Sequence, residues 1–265
     1  MQLEIITHRP AGPAAAPPLL FVHGAWHGAW CWEPHFLPYF AQHGFVAHAV
    51  SLRHHGNSDP GGTLRWLRGA DYAADVAQAV ATLGTRPVLV GHSMGGYVVQ
   101  KYLETATVPA TILLASVPPR GALGATLRTL RRHPLALLKT VAQFRLWPIV
   151  ATPRLAQDAL FSATMPEVEV AHYFAQLQDE AYLAYLDMML LNLPRPRRIA
   201  RTPMLVLGGA DDAIITPADH QSTGRAYGAT VEIFPHMAHD MMLEADWQAV
   251  ADRMIAWLRS VPGLT

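Results

Sequence analysis

Short apolar runs recur along the chain, separated by longer stretches with helical spacing. The runs "LEIIT" (3–7), "PLLFVH" (18–23), "VAHAV" (46–50), "PVLVGH" (87–92), "TILLAS" (111–116), "PMLVLGG" (203–209) and "TVEIFP" (230–235) read as strands. They are rich in Val, Leu and Ile without strict alternation, as expected for a sheet covered on both faces. Between them, "DYAADVAQAVATL" (71–83), "MGGYVVQKYLE" (94–104) and "EADWQAVADRMIAWLRS" (244–260) read as helices, the first with Asp71 as N-cap and Gly84 as its stop. Strands alternating with helices predict an α/β fold. Its mostly parallel sheet would have helices on both faces and a site at the carboxyl ends of the strands.

Residues 119–200 break the alternation. They hold no convincing strand, only helical stretches punctuated by Pro134, Pro148, Pro153, Pro166 and Pro194. This pattern predicts a helical cap inserted into a core made of residues 1–118 and 201–265. The Ala/Pro-rich stretch 10–18 is expected to be a surface loop.

Composition narrows the function classes. Hydrophobic residues make up 51% of the 265 and charged residues 15%, enough to bury a sizeable core. A formal net charge of zero argues against a general nucleic-acid binder. Cys31 has no partner for a disulfide or a zinc knuckle and is expected to be a small buried hydrophobe. The N-terminus lacks the basic start and apolar core of a secretory signal, and no run approaches the roughly 18–20 apolar residues that span a bilayer. The chain is therefore expected to be soluble and cytoplasmic, with no stable membrane insertion.

The strongest chemical signal is "VLVGHSMGGYVV" (88–99), with G-x-S-x-G at Gly91, His92, Ser93, Met94 and Gly95. A strand before the motif and a helix after it are the context of a nucleophile elbow, which lifts a serine oxygen at a helix start. Such a serine needs a base, an acid that orients the base, and donors for an oxyanion. His236 and His239 in "FPHMAHDMMLE" both follow the last strand, and His239 is favoured as base because it resembles the G-H-x-x-x-x-E motif of related folds, with Ala238 in place of the glycine. "VLGGADDAIITP" supplies two adjacent aspartates at a strand end. Neighbouring side chains on an extended loop point apart, so only one can serve, and Asp212 is preferred to Asp211. The backbone N–H of Met94 and that of Ala25, in the loop after "PLLFV", are the expected oxyanion donors.

"HGAWHGAW" (23–30) repeats four residues, but only the first copy follows a strand. The second copy is expected to start the next helix rather than to repeat a function. Trp26, His27 and Trp30 are candidates for a pocket wall, set against plain core packing.

Together "FVHGAWHGAW", "LRHHGNSD", "VLVGHSMGGYVV", "LVLGGADDAIITP" and "HMAHDMMLE" resemble the α/β-hydrolase superfamily over nearly the whole chain, and "HGAWHGAWCW" is similar to its methyl-esterase and hydroxynitrile-lyase branch. The resemblance implies a small-molecule ester substrate, an acyl-enzyme on Ser93, and no metal or organic cofactor. It also implies that 119–200 is a lid. Two departures, "MAH" for a glycine before the histidine and "LRHHGNS" for the usual "RGHG", remove no catalytic group. The alternatives are carbon–carbon bond hydrolysis, a lyase activity, or a binding protein that has lost turnover.

From Arg120 to Arg154 the chain has seven basic residues and no acidic one. Transient contact with an anionic membrane surface or an acidic substrate is one reading. The plainer one, solvated outer faces of cap helices, is preferred from sequence. "HYFAQLQDEAYLAYLDMMLL" (172–191) is expected to be mostly core, with a few side chains lining an apolar pocket.

Overall fold

A computed structural model of the chain describes residues 1–14 and 16–264. Ala15, in the expected loop 10–18, and Thr265, at the end of the expected core, lie outside the described residues. The apolar runs become seven strands: β1 (Ile5–His8), β2 (Leu19–Val22), β3 (Ala47–Val50), β4 (Val88–His92), β5 (Thr111–Leu114), β6 (Met204–Gly209) and β7 (Thr230–Phe234). They form one sheet in the order β1-β3-β2-β4-β5-β6-β7, in which only the β1–β3 pair is antiparallel.

Strands β2 to β6 are buried at every position, so the sheet is covered on both faces. The cover in the core comes from α1 (Phe36–Gln42), α2 (Gly69–Leu83) and α3 (Met94–Tyr102). Between β5 and β6 lie α4 (Leu123–Arg132), α5 (Pro134–Gln143), α6 (Pro153–Leu160), α7 (Glu167–Phe174) and α8 (Tyr182–Leu186), which runs on into a wider π turn at Asp187–Leu191. The core cover is completed by α9 (Pro217–Tyr227) and α10 (Trp247–Ser260). Among the described residues 119–200 there is no strand.

The prolines act as helix starts. Pro134 and Pro153 open α5 and α6, where a missing N–H costs nothing, and Pro166 caps α7. One terminus differs from expectation. Helix α2 begins at Gly69, and Asp71 sits one turn inside, where its carboxylate accepts the Arg68 backbone N–H at 2.8 Å. It thus closes a capping box instead of serving as the N-cap. Gly84 ends the helix in the left-handed conformation, φ 67°.

Candidate active site

The elbow is built by sterics. Ser93 joins β4 to α3 with φ 51° and ψ −116°, a strained conformation for a residue with a side chain. Gly95 makes the turn feasible, because a Cβ there would lie 2.3 Å from the Val22 carbonyl oxygen on the neighbouring strand. Ser93 is thereby held at the carboxyl edge of the sheet's centre, where the chain reverses from β4 into α3.

Two further loops arrive at the same edge. The loop after β7 carries His239, and the loop after β6 carries Asp212. Their backbones are tied together by hydrogen bonds from Ala210 N to Phe234 O (2.8 Å) and from Asp211 N to Met237 O (3.0 Å). His239 Nε2 lies 2.8 Å from Ser93 Oγ, and His239 Nδ1 lies 2.8 Å from Asp212 Oδ2. The other Asp212 oxygen accepts the N–H groups of Ile214 (2.7 Å) and Ile215 (2.8 Å), which fixes the carboxylate. All three side chains are buried. The rivals fall outside: Asp211 and His236 are exposed, and both line an outer groove.

Burial works against a charge on His239, but the facing Asp212 carboxylate outweighs it and holds the imidazole pKa above its ordinary value. With Nδ1–H donating to Asp212, Nε2 is left as the acceptor for the Ser93 hydroxyl.

Ala25 and Met94 line the same cavity as Ser93, and neither backbone N–H donates a hydrogen bond among the described residues. Gly24 allows the loop after β2 to come this close: a Cβ there would lie 2.7 Å from His92 Nδ1 and 3.0 Å from the Ser93 Cβ. The cavity, about 90 Å³, is mostly apolar, with Trp26, Leu146, Met188 and Ile214 among its walls. At Arg132, Asp158, Ala159 and Ala213 it meets an open groove of about 910 Å³.

Of the three pocket-wall candidates, only Trp26 lines the cavity. His27 turns away because it has partners elsewhere: Nδ1 donates to the Ala25 carbonyl at 2.7 Å, and Nε2 lies 3.0 Å from Asp240 Oδ2. Trp30 stacks between His27 and Tyr173. The second "HGAW" copy leads into a single 3-10 turn, Ala29–Trp32.

A network behind the site went unseen in the sequence. Asp240 is fully buried. Burial opposes its charge, yet the facing His27 imidazole above all holds its pKa below the usual carboxylate value. His92 Nε2–H donates to the His239 carbonyl at 3.0 Å. Burial, reinforced by His239, pushes the His92 pKa down to about 3, so this imidazole is neutral. The network links the loop carrying Ala25 to the one carrying His239. Its one signal in the sequence was an aspartate in the apolar run directly after His239.

His92, His239 and Asp240 also offer three ligand atoms within 4.8 Å of one another. Both His239 nitrogens already face Ser93 and Asp212, and His92 Nε2 is spent on a carbonyl, so the donor set suits a hydrogen-bonded scaffold better than a metal. Cys31 is fully buried, and its thiol pKa is raised by burial and then by Asp240, which makes it unreactive.

Comparison with known proteins follows the same outline. Residues 19–253 match the alpha/beta hydrolase family. A non-heme haloperoxidase of Rhodococcus erythropolis is 26% identical over 251 residues, covering 84% of this chain and 86% of that protein. "Probable esterase PIR7A" of Oryza sativa subsp. indica is 29% identical over 167 residues, or 56% of this chain and 61% of that one. Among solved structures, the esterase EaEST from Exiguobacterium antarcticum superposes with a TM-score of 0.73 at 17% identity, covering 97% of this chain and 96% of that one. A bromoperoxidase from Bacillus anthracis gives 0.75 at 16%, with 97% and 95% covered.

Proposed function

The chain belongs to the alpha/beta hydrolase family, and from that premise we propose that it is a serine esterase acting on carboxylic esters of small or medium-sized, largely apolar molecules. One observation carries the reading. Ser93, His239 and Asp212 form an unbroken hydrogen-bonded chain of 2.8 Å links, beside a cavity lined by Ala25 and Met94, whose backbone N–H groups donate no hydrogen bond among the described residues.

In the proposed reaction Ser93 Oγ attacks the ester carbonyl while His239 Nε2 takes the hydroxyl proton. Asp212 keeps the imidazole in the required tautomer and stabilises the imidazolium. The Ala25 and Met94 N–H groups receive the tetrahedral oxyanion. Collapse breaks the ester C–O bond, and His239 returns the proton to the departing alkoxide. Water, deprotonated by His239, then attacks the acyl-Ser93 carbonyl and releases the acid, and the serine regains its proton. These groups need no metal or organic cofactor.

The α4–α8 segment is read as a lid over a core of residues 1–118 and 201–265. The narrow apolar cavity beneath it suits an acyl group of modest size, and the groove through Arg132 and Asp158 is the route for the leaving group. A fluorophosphonate should label Ser93, and an aryl-ester series should show turnover that Ser93→Ala abolishes. Folded protein that takes no label would point to a binding protein instead. Labelled protein with no serine-dependent turnover of any ester would favour carbon–carbon cleavage or lyase chemistry.

A further inference from the structure

Helices α4 and α5 each present an apolar stripe to solvent. On α4 it consists of Leu123, Leu127 and Leu130, between 45% and 47% exposed; on α5 it is Leu135, Leu138 and Val141, between 51% and 71% exposed, followed by Phe144. Spacings of three and four residues place each set along one side of its helix. These two helices and their cap thus carry seven of the twelve exposed large apolar side chains among the described residues. Scattered surface leucines need no explanation, but a concentration of this kind on neighbouring helices does.

The charge around the stripes is one-sided. Of the seven basic residues between Arg120 and Arg154, Arg120 and Arg128 are spent on Asp219, and Arg145 on Asp179. Arg132 and Arg154 line the groove that also holds Asp158, Glu167 and Asp211, whereas Arg131 on α4 and Lys139 on α5 are exposed beside the stripes and form no ion pair among the described residues. An apolar face bordered by uncompensated cations is the composition that binds an interface of apolar chains beneath anionic headgroups. It is a poor self-association surface, because a second copy would bring the same cations together.

We propose that the outer face of α4–α5 docks on an anionic lipid bilayer. The inner faces of the same helices, through Ala125, Thr126, Thr129 and Leu137, line the cavity that holds Ser93. Docking therefore sets the cavity one helix layer from the lipid. This last step rests on the esterase reading: the ester taken up is a lipophilic one delivered from the bilayer rather than from water.

The test is flotation of the Ser93→Ala protein with phosphatidylcholine vesicles, with and without phosphatidylglycerol, at low and high salt. Binding is expected to the anionic vesicles, weaker at high salt. The pairs Leu127→Glu/Leu138→Glu and Arg131→Glu/Lys139→Glu should each lower the bound fraction by at least ~tenfold. All four positions are exposed, so an unchanged circular dichroism spectrum and melting temperature serve as the folding control. No flotation with anionic vesicles, or flotation indifferent to both pairs, overturns the proposal. So does a lipid-free dimer that Leu127→Glu/Leu138→Glu splits, which assigns the face to a second copy. Because binding is read on the serine-less protein, failure of the esterase reading would leave this result standing.

Discussion

Strands β2 to β6 bury every side chain they carry, whereas helices α4 and α5 turn rows of leucines to solvent. The two regions are secured differently. The sheet is stabilised by apolar area and ladder hydrogen bonds, terms that are generic and spread over many residues. The helical segment shares that apolar core through side chains such as Leu146, Leu160, Phe161, Tyr173 and Met188, and is fastened in addition by a few buried polar groups. Glu180 accepts the Tyr72 hydroxyl at 2.6 Å and lies 3.1 Å from His55 Nε2, and all three residues are fully or almost fully buried. Asp187, also fully buried, accepts from Arg68 Nε at 2.8 Å and from the Gly69 N–H at 3.1 Å. Gln178 donates its backbone N–H to the Trp26 carbonyl and accepts the Gly56 N–H, both at 2.9 Å. Apolar burial can absorb many single changes as graded losses, whereas removing one partner of a buried polar pair strands the other and costs more. The proposed chemistry lies at the junction, with its reacting groups on the core and its cavity roof on the segment.

The comparison can be broken first at the core's site. Ser93→Ala should lower ester turnover by about 10⁶-fold with the melting temperature within a degree or two of the parent, as checked by kinetics beside calorimetry. Next, Asp212→Asn should cost about 10⁴-fold in kcat. It should also move the pH profile. The rate of the parent is expected to rise with pH through the His239 pKa, which Asp212 holds above the ordinary imidazole value. Removing the carboxylate charge should shift that acid limb to lower pH, read from kcat/KM between pH 5 and 9.

Gly24→Ala is expected to cost roughly 10²–10³-fold in kcat, the loss of one oxyanion donor, because the new Cβ must push the loop bearing Ala25 off His92 and Ser93. An unchanged rate would show that the Ala25 N–H does not serve the oxyanion.

On the segment side, Glu180→Ala leaves His55 and the Tyr72 hydroxyl facing an empty, buried space. A loss of about 3–5 kcal/mol is expected in denaturant unfolding, with the α4–α8 region gaining hydrogen exchange ahead of the sheet. The smallest effect is on pH dependence. Burial works against a charged His55, but Glu180 overrides it and raises the pKa. The pair's contribution is therefore full below the free imidazole pKa and is lost as pH rises through the raised, folded value. Stability of the parent should sag on the alkaline side of that window, and in Glu180→Gln the sag should flatten. A parent curve that instead rises there would remove His55–Glu180 from the account.

The legibility of the sequence follows the same division. Each of the seven apolar runs becomes a strand with ends within two residues of expectation, because burial on both faces imprints itself on consecutive residues. The elbow was legible for a similar reason: its glycines are needed by neighbours a few residues away or on the next strand. The least exact end was the start of α10, at Trp247 rather than Glu244, where Asp246 makes no side-chain cap hydrogen bond to mark it. His27 and Trp30, candidates for the pocket wall, do not line the cavity, and nothing local tells the His27 imidazole that its partner is Asp240, more than two hundred residues on. Glu180 and Asp187 lay unseen in an aromatic stretch that read as core, as their partners sit on α2 and on the loop after β3. The basic run was visible, but not that leucines would stand beside it in solvent.

What the sequence settled by itself was the alternation of strands and helices, the parallel sheet and the serine at its central turn, because these follow from side-chain periodicity and short-range sterics. The sequence also preferred His239 and Asp212 over their neighbours, but the distances that join them to that serine, the polar groups that fasten the segment, and the faces of α4 and α5 that look outward were decided only in three dimensions. Those outcomes depend on distances between residues far apart in the chain, fixed when the loops after β2, β4, β6 and β7 converge on one edge of the sheet.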